Sequence, residues 1–158
     1  MVGCCEGCFG GVAASAKIGG KLIEAAERKQ TAVLLKLLEQ NSNSACLNEV
    51  NASGYTLLHL AASQDNEKVC NALLDAPGFT AINVQSQSGF TALHAAANEG
   101  RSRASKLLCA HSKFTALRAK DIEGSSAEEI AEQRGFRSCV KAITDGIKER
   151  ERRDAQTG

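Results

Sequence analysis

The 158-residue chain has no tryptophan, one tyrosine, five phenylalanines and one proline. Aromatics make up 4% while hydrophobic residues reach 43%, so the apolar content is aliphatic. That alanine and leucine bias suits thin helices packed closely without a large aromatic core, and the length suits one domain. Charge of one sign is also lacking: 19 basic residues face 18 acidic ones for a formal net charge of +1. Interspersed signs give no long-range field to gather nucleic acid, so specific duplex binding is not expected. No run of 18 apolar residues offers a membrane span, and the first residues lack the positive region, apolar core and cleavage site of a secretory signal. A monomeric cytoplasmic protein is the resulting expectation.

Sequence motifs of catalysis are missing as well. There is no glycine-rich phosphate loop, Gly-x-Ser-x-Gly elbow, His-Glu-x-x-His stretch or paired Cys/His nucleophile motif. The expectation is a protein that is no enzyme and holds no metal or cofactor. Cysteine, by contrast, is plentiful: the seven are odd in number and scattered, which points to a reducing compartment rather than a secreted disulfide scaffold. Cys70, Cys109 and Cys139 fall at apolar helical positions, where free cysteine packs as a small hydrophobe. Cys46 falls in a connecting loop.

Cys4, Cys5 and Cys8 crowd a glycine-rich leader, residues 1–17. One reading is a flexible leader with no special chemistry. Another is S-acylation, which would tether the domain to a membrane. Val2 rather than glycine follows Met1, so the myristoylation pattern is not met, and stable anchoring would need two or three acylated cysteines. Cys5-x-x-Cys8 has no second ligand pair for a closed zinc site, and no strand-helix pattern for a redox fold surrounds it.

What the chain does have is repetition. Gly54-Tyr55-Thr56-Leu57-Leu58-His59-Leu60-Ala61-Ala62 returns 35 residues later as Gly89-Phe90-Thr91-Ala92-Leu93-His94-Ala95-Ala96-Ala97. A weaker copy, Gly124-Ser125-Ser126-Ala127-Glu128-Glu129-Ile130-Ala131, lies 35 further on, and Lys21-Leu22-Ile23-Glu24-Ala25-Ala26 keeps the leucine and alanine pair upstream. Units at one period read as an array.

Thr56, Thr91 and Ser126 stand where a side-chain oxygen caps a helix start, and Ser126 with Glu129 fits a capping box. A second helix follows in each unit: Val33, Leu34, Leu37, Leu38; Val69, Cys70, Leu73, Leu74; Ala104, Leu107, Leu108; and Cys139, Val140, Ile143 recur at helical spacing. Gly100 and Gly135 mark turns between the helices of a unit; Gly54, Gly89 and Gly124 mark turns into the next one. Two short helices cannot bury enough apolar surface alone, so each unit must lend its leucine and alanine face to its neighbours.

The motif resembles the ankyrin repeat, whose pattern is Gly-x-Thr-Pro-Leu-His-x-Ala-Ala with a later Leu-Leu pair, here Leu37-Leu38, Leu73-Leu74 and Leu108-Cys109. The motif's proline is replaced by Leu57, Ala92 and Ala127, which removes a favoured first-turn residue without forbidding the helix. The resemblance implies an all-α ankyrin-repeat solenoid over residues 18–147, with units at about 18–47, 51–83, 86–117 and 121–147 and a charged tail at 148–158. It also implies that His59 and His94 brace Thr56 and Thr91 or an adjacent unit. The mixed-sign tail reads as an extension of the last helix.

The resemblance further implies a non-catalytic module that binds a protein through its concave face. Carried over by position, the first unit contributes Glu27 and Arg28, and the second Ser53, Tyr55, Ser63 and Gln64 with Ala52. The third contributes Gln87, Ser88, Phe90, Asn98 and Glu99, and the fourth Glu123, Gln133 and Arg134 with Ile122 and Ser125. Tyr55 and Phe90 hold equivalent places, either as binding anchors, where aromatics are enriched, or as local packing over a loop. A lipid-tethered adaptor and a stoichiometric enzyme inhibitor are the alternative readings.

Overall fold

The computed structural model describes the backbone of residues 7–158 and the side chains from residue 17 onward. Eight α-helices lie among the described residues in four consecutive pairs: α1 (Gly7–Glu27) with α2 (Thr31–Gln40), α3 (Leu57–Ser63) with α4 (Glu67–Asp75), α5 (Ala92–Asn98) with α6 (Ser102–Ala110), and α7 (Ala127–Gln133) with α8 (Arg137–Gln156). Single 3-10 turns, Ala45–Asn48 and Ala81–Asn83, follow α2 and α4. The described residues form no strand, only isolated antiparallel bridges from Val50 to Thr56 and from Lys120 to Ser126.

Helix starts follow the caps. The side chains of Thr56, Thr91 and Ser126 each accept a hydrogen bond from the backbone N–H three residues on, satisfying a donor that the helix cannot. The first helix of each pair stops at a left-handed residue. That place is held by Lys29 (φ 56°), Asp65 (φ 57°), Gly100 (φ 66°) and Gly135 (φ 77°), so two units meet the requirement without glycine. At Gly100 an added Cβ would also lie 2.7 Å from the Phe136 ring.

The first helix departs from expectation. It begins at Gly7, inside the stretch read as leader, and runs unbroken to Glu27. Ala13, Ala14 and Ala16 favour helix, and each glycine within it costs only about 1 kcal/mol, too little to stop it. At the other end α8 runs to Gln156, so most of the charged tail is helical.

Packing explains which expected core residues are dry. Val69, Ala104 and Cys139 are fully buried, whereas their counterpart Val33 is 49% exposed. Leu34, Cys70 and Ser105 are buried, whereas their counterpart Val140 is half-buried. The first set faces the preceding unit and the second the following one, which is why the exceptions sit at the two ends. Ser105 Oγ meets Cys139 Sγ at 3.2 Å across one such seam. The apolar residues join into one continuous core from Leu22 to Ile147 rather than four separate ones.

Candidate functional site

Three loops, each a tight hairpin preceding a first helix, project side by side from the array. Asn51, Ser86 and Asp121 recur every 35 residues at their bases. Asn51 Oδ1 accepts from the amides of Ser53 and Tyr55, Ser86 Oγ from that of Phe90, and Asp121 Oδ1 from those of Glu123 and Ser125. Gly54, Gly89 and Gly124 turn each tip with φ of 75–80°, a conformation that glycine adopts without penalty. Successive tips are bonded: the Gln87 amide donates to Ser53 O at 3.2 Å and the Ile122 amide to Ser88 O at 3.3 Å.

The histidines hold these loops from behind. His59 Nδ1 accepts from the Thr56 amide at 3.2 Å and lies 2.8 Å from its hydroxyl, while Nε2 reaches Phe90 O in the next loop at 2.7 Å. His94 repeats this with Thr91 and with Ser125 O at 3.2 Å. An amide donating to Nδ1 and a carbonyl accepting from Nε2 require the neutral ring with its proton on Nε2. Burial depresses both pKa values below the usual histidine range; the bonds to Phe90 O and Ser125 O act in the opposite sense. Glu129 replaces the histidine in the fourth unit, its carboxylate accepting from the Ser126 amide at 2.7 Å.

A second bracing ladder runs along the 3-10 turns. Asn48 Oδ1 accepts from the Thr80 and Ala81 amides while its Nδ2 donates to Gly78 O; Asn83 does the same with Thr115, Ala116 and Lys113 O. Sequence reasoning missed this ladder and the loop-base trio. The signal was present: Asn48 and Asn83, like Phe79 and Phe114, share the 35-residue spacing of the motif.

Burial pushes the Cys70 and Cys109 thiols up to about 12, and Cys139 also upward, against the opposing bond from Ser105. They are inert packing groups. Cys46, placed in a loop by sequence, is buried in the first 3-10 turn. Cys4, Cys5 and the Cys8 side chain lie outside the described residues.

The family model for the Ankyrin repeat matches residues 53–87 and 88–121. Residues 53–121 carry two ankyrin repeats. With eight helices in repeating pairs, the described architecture is an all-α ankyrin solenoid, and ankyrin repeats are protein-interaction modules. A comparison with curated protein sequences found no match.

Within this solenoid, the residues expected on the concave side divide into committed and free ones. Glu27 accepts from Asn51 Nδ2, Arg28 pairs with Glu24 at 2.9 Å, and Gln64 Nε2 donates to Ala26 O at 2.6 Å. Gln87 Nε2 is spent on Ala52 O, and Ser63 Oγ on Leu60 O. Tyr55 stacks on His59 at 5.3 Å and Phe90 on His94 at 5.6 Å, both half-buried. Ser53 is exposed at the second unit's loop tip. Ser88, Glu123, Gln133 and Arg134 are exposed, as is Glu99, whose carboxylate accepts from Nδ2 of the half-buried Asn98 at 3.1 Å. Ile122, at the third loop tip, is 75% exposed. A trough of about 300 Å³ between the third and fourth units brings together Ser88, Phe90, Asn98, Ile122, Gln133 and Arg134.

Proposed function

We propose that this protein binds a partner protein through the concave face of its ankyrin array, and that the trough between the third and fourth units is the centre of contact. The observation that carries the reading is Ile122: a large aliphatic side chain held in water on a hydrogen-bonded loop tip, beside the exposed Arg134 guanidinium and Gln133 amide. Apolar surface of this kind gains by burial, and an arginine at its rim supplies orientation. Ser53, Tyr55, Ser88, Phe90, Glu99 and Glu123 extend the contact along the loops. Tyr55 and Phe90 act mainly by setting the histidine braces, and Glu27, Gln64 and Gln87 by holding units together, while Arg28 and the Ser63 hydroxyl are engaged within their own units. Binding is non-catalytic and cytoplasmic in this reading.

Affinity capture from the native cell tests it. A partner retained by the unmodified protein should be lost with Ile122→Glu plus Arg134→Glu and kept with Lys36→Glu plus Lys68→Glu on the second helices. Retention by the first variant, with helical content intact, would overturn the placement.

A further inference from the structure

The back of the array carries a second surface. Helices α6 and α8 together bear eight lysines and arginines against four carboxylates, although the whole chain has a net charge of only +1. Between them runs a groove of about 480 Å³. The helices close its floor tightly: a Cβ added at Gly146 would lie 2.5 Å from Cys109 Cβ. Ala110 and Ala142 complete the floor. Arg103 and Lys106 stand on one bank, Lys141 and Arg153 on the other.

These cations are under-used. Arg103 reaches only Glu67, at 4.0 Å, and Lys106, Lys141 and Arg153 take part in no ion pair among the described residues. Asp145 and Glu149 lie on the α8 bank of the same groove. Their position decides between occupants. A flat anionic bilayer would press negative charge against both carboxylates at once, whereas a narrow chain can set its own carboxylates on Arg103, Lys106 and Lys141 and turn backbone amides toward Asp145 and Glu149. The low floor of alanine and glycine leaves room for a peptide backbone.

We infer that the α6–α8 groove is a docking site for an acidic segment of a protein partner, separate from the concave face. Contacts of lysine and arginine with carboxylates across such a surface steer association and weaken with salt.

The test uses the full chain and a fluorescein-labelled twelve-residue peptide of alternating glutamate and alanine, followed by fluorescence anisotropy at low salt. Saturable binding should weaken about tenfold or more in Lys106→Glu plus Lys141→Glu. It should stay within about twofold in Lys36→Glu plus Lys68→Glu, the same charge change on α2 and α4, and in the Ile122→Glu plus Arg134→Glu variant. Circular dichroism checks that helical content is unchanged. Equal loss in the α2/α4 control would mean diffuse charge and overturn the inference. No saturation by about 1 mM peptide would do the same. So would phosphatidylserine vesicles that bind more tightly than the peptide and depend on Lys106 and Lys141.

Discussion

At the residue scale, the histidines carry a testable sign. Unfolded, His59 and His94 titrate near their ordinary 6.5; folded, burial holds both lower. Below about pH 6.5 the unfolded chain therefore binds protons that the folded chain refuses, and stability, full above that pH, is lost as pH falls toward the folded values. Each such proton contributes a slope of up to about 1.4 kcal/mol per pH unit. Urea midpoints should fall between pH 7.5 and 5.5, and fall less in His94→Gln; a flat midpoint in the unmodified protein would contradict the neutral-histidine brace. Lys29 and Asp65 make a second pair. Both are left-handed, but Asp65 Oδ1 also accepts from the Ala104 amide at 2.9 Å. Lys29→Gly should raise stability by about 0.5–1 kcal/mol, since glycine bears that conformation without a Cβ penalty. Asp65→Gly should not, because it leaves the Ala104 amide without its partner. Thermal unfolding of the two variants separates the cases.

At the scale of elements, position within the stack sets the cost of a deletion. Leu73→Ala, at a fully buried position of α4, should cost about 2–5 kcal/mol through cavity formation. Val33→Ala, on the open side of α2, should stay within about 0.5 kcal/mol. Denaturant titration gives both values, and equal losses would refute the assignment of inward and outward faces. The helices themselves were legible in the residues: Thr56, Thr91 and Ser126 announce their caps, and Leu73-Leu74 and its counterparts announce the inner face. Which positions of the second helices face water was not, because Val33 and Val69 are the same residue at the same register and differ only in having a neighbour. The start of α1 escaped too, since alanines outweigh scattered glycines without any cap to mark the place. The loop bases and the Asn48/Asn83 ladder both follow the period; the loop bases bond amides two to four residues on, whereas the ladder's partners lie 30–33 residues away, beyond what local spacing discloses. For the candidate site, Gly54, Gly89 and Gly124 marked the loop turns in the sequence, but nothing there distinguished Gln64 and Gln87, whose amides brace the units, from Ser88 and Arg134, whose side chains make no such bond among the described residues.

At the scale of the whole molecule, the array is a ladder whose rungs hold one another: His59 and His94 tie the second and third loops to α3 and α5, and Asn48 and Asn83 tie each 3-10 turn to the corresponding segment of the next unit. Such a chain of nearest-neighbour contacts presents a stiff row of loop tips without needing a large core. A partner that lies across that row meets Ile122 and Arg134 with little ordering left to do, and so binds at low entropic cost. Hydrogen exchange of the captured complex addresses this most directly. Bound partner should slow exchange at the amides of 52–54, 87–89 and 122–124 and along α7, with α2 and α4 unchanged. Protection confined to the second helices, with all three loop tips exchanging as in the free protein, would contradict the concave-face account.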